Sequence, residues 1–383
     1  VRTSSRSGTS PFIAMDVLRD AHAAEAAGRD VVHLEVGQPA TPAPRAARQA
    51  LAAALESGQP MGYTPALGIP SLRARIARHY RESYGVDLDP GRVIVTAGSS
   101  AGFILSFIAF LEAGDRVQIA DPGYPSYRNT LGALDLKPVR IETGPETRFQ
   151  PTPELLDAAG PAEGLLVASP ANPTGTMLDR AALTALSDHC EKSGKLLISD
   201  EIYHGLSYGE RAVSALEVTD EVVVVNSLSK YYSMTGWRIG WMVVPERFVR
   251  TIENLMANLF ICAPHASQVA AEAAFDAREE LDGHVGVYAR NRALLLDALP
   301  RMGITEIAPC DGAFYVYCGI GHLTDDSLGW CKWLLDEHGV AATPGLDFDP
   351  VRGNRTMRLC FAGATAEIED AIRRLERALG QGG

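Results

Sequence analysis

The sequence predicts an α/β protein, with a large domain built on a mostly parallel sheet flanked by helices and a smaller α+β domain toward the C-terminus. Two observations carry that expectation. Between Arg92 and about Pro245, short β-rich runs recur (VIVTAG, DRVQIA, LKPVRI, GLLVAS, KLLISD, VVVVNS and GWMVVP), most of them separated by helical text. Their apolarity is continuous rather than alternating, as expected of strands covered on both faces. Beyond Phe248 the text is mainly helical as far as Leu299. It is followed by AFYVYCG, a helix near Leu328 to Glu337, the strand TMRLCF and a last helix.

Taken in order, alanine-rich helical text runs from Ala14 to Ala27 and ends at Gly28, a C-cap residue, before the apolar run VVHLEV. That run stops at Gly37 and Pro39. A later helical segment carries Leu72, Ile76 and Tyr80 at spacing four, which puts them on one face. The closing helix places Ile368, Ile372, Leu375 and Leu379 at spacings of four, three and four, as an apolar stripe requires. The expected division is an N-terminal arm and part of the small domain over 1–40, a large domain over 41–262 and a small domain over 263–383. No Pro/Ser-rich linker separates these parts, so they are expected to pack closely.

The 383 residues suffice for two domains, each with its own core. A hydrophobic fraction of 46% and a charged fraction of 21% exclude a disordered chain. The net charge of -12 disfavours nucleic acid and anionic lipid as partners, although a locally positive pocket can still capture a small anion. Six scattered cysteines form no C-x-x-C pair and the nine histidines no H-E-x-x-H, so neither a metal site nor a disulfide framework is expected. The lead VRTSSRSGTSPF lacks the apolar core of a signal peptide, and no apolar stretch approaches a membrane span of ~20 residues. A cytoplasmic protein with reduced thiols is the expectation.

The sharpest local feature is NSLSKYYSMTGWRIG, where Lys230 follows a predicted strand and Arg238 stands eight residues later. A lysine of ordinary pKa, ~10.4, is overwhelmingly protonated at neutral pH, so nucleophilic use requires burial or a cationic neighbour. The strand KLLISD ends in Asp200, with Glu201 and Tyr203 just beyond; alone, such an aspartate reads as a turn former or cap. Asn172 of SPANPTG reads alone as a turn residue. TAGSSAG at 96–102 closes a strand and opens an apolar helix, offering free backbone N–H groups to an anion, with Ser99 as a plain N-cap otherwise.

In their order and joint presence, TAGSS, DPGYPSY, ANPTG, SDEIY, SLSK with GWRIGW, and MRL resemble the class I/II aminotransferases of pyridoxal-phosphate fold type I, in particular the bacterial aspartate/alanine aminotransferase-like branch, across nearly the whole chain. The resemblance implies pyridoxal 5'-phosphate as cofactor and transfer of an amino group from an L-amino acid to a 2-oxo acid. It makes Lys230 the Schiff-base lysine, passing through a pyridoxamine phosphate intermediate, and the base that moves the Cα proton. By the same resemblance Asp200 would pair with the pyridine nitrogen, Asn172 and Tyr203 would donate to the phenolate oxygen, and Tyr124 would stack on the ring. The phosphate falls to the N–H groups of Ser99, Ser100 and Ala101, the Ser227 and Ser229 hydroxyls, and Arg238. Arg358 takes the substrate α-carboxylate in a two-pronged hydrogen bond, assisted by the backbone at Gly37. Tyr63 of MGYTPALG reaches the phosphate of a neighbouring subunit, so a homodimer with shared active sites is implied.

The same cofactor residues serve a β-lyase or an aminocyclopropane-forming synthase of this fold, which is the chief alternative. A transcription regulator is disfavoured, because about thirty residues ahead of the first strand are too few for a DNA-binding helix-turn-helix and linker. Where the aspartate-using branch often reads GGKQ, this chain has Gly98, Ser99, Ser100 and Ala101. That difference favours a neutral donor such as alanine or a branched or aromatic amino acid, with 2-oxoglutarate or pyruvate as acceptor by analogy. Phe12 and the NLFICAP stretch at 258–264 are candidates for the side-chain pocket.

Overall fold

In the computed structural model, which describes residues 1–380, α1 (Ile13–Ala26) and the two-residue β1 (Val32–His33) precede α2 (Arg45–Glu56) and α3 (Pro70–Tyr84). Strands and helices then alternate through β2 (Val93–Thr96), α4 (Ser99–Phe110), β3 (Arg116–Asp121), α5 (Pro125–Ala133), β4 (Lys137–Glu142), α6 (Pro153–Ala159), β5 (Gly164–Ala168), α7 (Arg180–Ser193) and β6 (Leu196–Asp200). β7 (Val223–Ser227) and β8 (Gly240–Val243) complete that run. The remainder comprises α8 (Val249–Leu259), α9 (His265–Ala274), α10 (Arg278–Arg301), β9 (Tyr315–Gly319), α11 (Ser327–His338), β10 (Val340–Ala341), β11 (Thr343–Pro344), β12 (Thr356–Cys360) and α12 (Thr365–Gly380).

The apolar runs of the central region form one seven-stranded sheet in the order β2-β8-β7-β6-β5-β3-β4. Neighbours from β7 to β4 are parallel, whereas β8 is antiparallel to both β7 and β2. The reason lies in the connection: residues 228–239 carry a single 3₁₀ turn and no crossover helix, so the chain returns beside β7 in the opposite sense. β2 therefore runs with the other five, and six carboxyl ends face one rim together with the amino end of β8. Every residue of β2, β7 and β8 is buried, which explains their unbroken apolar sequence.

A second, three-stranded antiparallel sheet, β11-β12-β9, belongs to the C-terminal part. VVHLEV was expected as a strand, and only Val32 and His33 form one, paired with β10. The hydrogen bonding nevertheless continues: Leu34 N–H donates to Ala341 O (2.9 Å) and Leu34 O accepts from Cys360 N–H (2.7 Å). The N-terminal segment is thereby stitched to the smaller body.

Two cores result. The first gathers the large sheet, α3, α4 and also α9, with Ala270, Ala271, Ala274 and Leu281 among its members. The second begins along α10 at Tyr288, takes in β9, β12 and α12, and recruits Val32 and Leu34 from the N-terminal segment and Tyr203 and Leu206 from beyond β6. By core membership the chain divides inside α10, so the expected division after residue 262 leaves α9 on the opposite side from the core it joins. The α3 stripe of Leu72, Ile76 and Tyr80 is fully buried, while on α12 Ile368 and Leu375 are buried and Ile372 and Leu379 flank the second core. Among the described residues no helix is long and apolar enough to cross a membrane.

Tyr80 ties α3 to the sheet: its hydroxyl accepts from the indole Nε1–H of Trp241 on β8 (3.1 Å), and both residues are buried. Tyr80→Phe leaves that N–H without a partner, which costs ~1–3 kcal/mol. Urea unfolding of the variant should show a lowered midpoint with an unchanged slope.

Candidate active site

At the rim where the carboxyl ends converge, a cavity of about 290 Å³ is lined by Gly37, Ser99, Ser100, Tyr124, Asn172, Asp200, Tyr203, Ser229, Lys230, Arg238 and Arg358, with further residues described below. All but Arg358 arrive at or just beyond a strand end, where open sheets of this kind place ligands. Asp200 is the last residue of β6, paired in register with Ala168 of β5 and Val225 of β7. Arg358 comes from the middle of β12, opposite Thr343 and Tyr317.

Lys230 donates from Nζ to the carbonyl of Gly37 (2.5 Å) and lies 5.7 Å from the Tyr203 ring centroid. Burial draws its amine down to about 8, and the nearby Arg358 and Arg238 act in the same direction. Asp200 goes the other way: burial pushes its carboxyl up to about 6, opposed by hydrogen bonds from the Tyr127 hydroxyl and from the Ile202 N–H (3.0 Å). The cavity thus holds an amine that is partly neutral and a carboxyl that is ionised near neutral pH.

α4 begins at Ser99 behind Gly98, with no side chain capping its first N–H groups. These groups form a donor-rich, partly positive end. Gly98 has φ +79° and lies against the guanidinium of Arg238, which a Cβ at that position would strike. Arg238 donates to Thr235 O (2.9 Å), and Ser229 shares a hydrogen bond with Ser227 (2.7 Å). Together these groups make a nest for a dianion.

Arg358 is 3% exposed and sits between two aromatic faces, 4.3 Å from the Tyr315 centroid and 4.6 Å from that of Phe348. It donates to Asn172 Oδ1 (2.8 Å), Thr343 Oγ1 (3.2 Å) and the carbonyl of Glu35, and among the described residues its Nε has no hydrogen-bond partner. None of these bonds goes to a carboxylate. Gly37 has to be glycine for a steric reason: a Cβ there would overlap the Tyr315 hydroxyl, which is held by Tyr203 (2.6 Å).

Not every expected residue lines the cavity. Ser227 stands behind Ser229, accepting its N–H (3.0 Å) and donating to Ile239 O (3.1 Å). Ala101 is buried within α4, and Tyr63 is 83% exposed on the surface of the chain. In the 258–264 stretch Leu259 and Ile261 are exposed, at 50% and 49%, and do not line this cavity, whereas Phe12 does and meets Tyr124 edge-on at 5.8 Å. Sequence reasoning missed Tyr127, Tyr315 and the α1 residues Met15 and Leu18. Tyr127 stands one helical turn beyond Tyr124 in DPGYPSY, a spacing that could have revealed it. Glu201, left without a role, is buried and accepts from Ser214 Oγ and the Ala215 N–H (2.7 Å), which anchors the strand end carrying Asp200.

A buried amine, a buried carboxyl, a donor-rich helix start beside Arg238 and a buried guanidinium fork fit an enzyme that holds a phosphorylated aldehyde cofactor and an amino acid together. The chain belongs to the class I and II aminotransferases, whose family profile matches residues 29–375. The valine–pyruvate aminotransferase of Mycobacterium tuberculosis is 48% identical over 379 residues, covering 98% of this chain and 97% of the relative. A solved aminotransferase from the same organism has a TM-score of 0.97 at 48% identity, with all of both chains covered. Thermus thermophilus aspartate aminotransferase with maleate has a TM-score of 0.92 at 30% identity, covering 98% of this chain and 100% of the other. The protein is a pyridoxal-phosphate-dependent transaminase acting on amino acids and keto acids, and these comparisons give no support to a lyase.

The lowered amine has a measurable signature. The neutral fraction of Lys230 rises as pH passes through about 8, so capture of the cofactor aldehyde should accelerate about tenfold from pH 7 to pH 9 and then level off. Borohydride trapping of cofactor-treated apoprotein followed by peptide mapping reads this directly. A rise at Lys230 that continues past pH 10, as for surface lysines, would contradict the buried environment.

Proposed function

We propose that the amino donor is a small or branched apolar amino acid, with valine the leading candidate and pyruvate the acceptor. One observation carries this reading: the cationic residues lining the cavity are Lys230, Arg238 and Arg358, each with a place already, and beside the neutral Gln38, Ser126 and Thr235 the wall is apolar, with Phe12, Met15, Leu18, Val36, Phe103 and Ile202. A side-chain carboxylate would meet no further cation there and would lose hydration without compensation. The M. tuberculosis relative, named for valine and pyruvate, supports the same choice.

Within that reading the roles are as follows. Bound pyridoxal phosphate supplies a ring that accepts the electron pair released when the donor's Cα–H bond breaks. Lys230 would hold the cofactor covalently and, once released from it, carry the proton from Cα, a task that needs the neutral amine its burial favours. Asp200 would keep the ring nitrogen protonated, with Tyr127 fixing the carboxylate. Asn172, whose oxygen is occupied by Arg358, has its N–H groups to offer the phenolate oxygen beside Tyr203, and Tyr124 would stack on the ring. The N–H groups of Ser99, Ser100 and Ala101, the hydroxyls of Ser229 and Ser227, and Arg238 would take the phosphate. Arg358 would grip the α-carboxylate with Gly37 beside it.

A homodimer fits the same picture. The exposed Tyr63, Leu259 and Ile261 are apolar or aromatic surface that a second copy would cover, with Tyr63 completing its partner's phosphate site. A cytoplasmic location completes the reading.

Two measurements test it. With cofactor bound, valine and alanine should exceed aspartate by at least tenfold in kcat/KM with pyruvate as acceptor; aspartate as the best donor would refute the apolar reading. Arg358→Lys should lower kcat/KM for every donor about 10–100-fold, because losing the fork forfeits ~1.5–3 kcal/mol of charge-assisted hydrogen bonding.

A further inference from the structure

We propose that Asp347 is a positioning residue that sets donor size by fixing the first turn of α1 above the cavity. The inference rests on the apolar-donor reading for its substrate class.

Phe12, Met15 and Leu18 recur every third residue and so share the face of α1 that lines the cavity. The helix begins without a local cap, since its N-cap residue Phe12 has no side-chain acceptor. The Ile13 and Ala14 N–H groups donate instead to the two carboxylate oxygens of Asp347, each at 3.1 Å. Asp347 has no exposed surface and lies more than three hundred residues away along the chain. A carboxylate at a helix N-terminus is favoured both by the orphan donors and by the dipole.

The far half of α1 is seated differently, by apolar packing of Val17 and Ala21 against Leu335 and Ala341. The tie to the buried carboxylate is made at the first turn, over the cavity. The segment that carries it also supports the carboxylate-binding arginine: Thr343 accepts from Arg358, and Phe348 covers its guanidinium. Arg128 of α5, the helix that starts beside Tyr124, donates to the backbone carbonyl of Asp347 and locks the turn from the other side. Residues 343–348 therefore set the distance between the point where a donor's α-carboxylate is held and the wall its side chain must touch. Changing the tie at Asp347 alters that distance without altering a group that contacts the cofactor.

The test uses the cofactor-loaded full chain and two variants that cut the same tie from opposite ends. Asp347→Asn keeps the shape and removes the charge and one acceptor. Ile13→Pro removes one donor at a first-turn position where proline fits a helix. Each should raise KM for valine at least fivefold relative to alanine with kcat and the cofactor absorbance unchanged, and the double variant should add little to either. Hydrogen exchange should quicken at residues 13–18 of the Asp347→Asn variant and stay unchanged at 20–26. Equal losses for both donors, a lowered kcat or unaltered exchange in α1 would overturn the proposal. A wild type that uses neither valine nor alanine would refute the donor reading instead, and the exchange measurement would then decide the role of Asp347 alone.

Discussion

The site depends above all on one buried cation. Arg358 brings a guanidinium to a place with 3% exposure, where its hydrogen bonds reach only neutral oxygens, so its charge is balanced by aromatic faces and oriented carbonyls rather than by an acid. Burying such a group is costly unless the surroundings are rigid, and each of its partners is fixed from a different part of the chain. Asn172 follows β5 in the first core, Glu35 lies on the N-terminal segment, and Thr343 and Phe348 belong to the smaller body. The arginine therefore acts as a keystone between the two cores as well as the proposed receptor for a carboxylate. Its position in mid-strand, with Tyr317 directly opposite, keeps the fork from swinging toward solvent.

The seven-stranded sheet contributes direction. Because six strands share one sense, the residues that follow them gather at a single edge, and chemically distinct side chains far apart in sequence become neighbours. The antiparallel return of β8 is what brings Arg238 back to that edge, next to the start of α4. Lys230 and Asp200 feel the resulting low-dielectric enclosure in opposite senses, one charge form being disfavoured in each. A transaminase needs such a pair, an amine able to lose its proton and an acid able to keep its charge.

Much of this was legible in the sequence because strand ends announce themselves. VIVTAG, GLLVAS, KLLISD and VVVVNS are apolar runs that break at polar residues, and the breaks are where Ser99, Asn172, Asp200 and Ser229 stand. The α/β class followed from the same runs. Two features were not legible. The side on which α9 packs was hidden because α8, α9 and α10 read as uniform helical text, and only three-dimensional packing assigns α9 to the core of the large sheet. The contribution of α1 was hidden as well, since Met15 and Leu18 look like any amphipathic stripe until Val17 and Ala21 pack against Leu335 and Ala341 and the helix comes to lie over the cavity. Long-range ties such as Asp347 to Ala14 leave no local pattern at all.

The carbonyls of Glu35 and Gly37, two residues apart, receive the side chains of Arg358 and Lys230 respectively. In the proposed roles, one short stretch of main chain is therefore shared by the group that recognises every amino acid and the group that transforms it. A substitution that shifts this stretch to suit a new donor disturbs the recognition and the chemistry in the same stroke. On the same proposal, Met15 and Leu18 of α1 line the cavity without touching that stretch's hydrogen bonds, and can change size one at a time while the charged floor stays as it is.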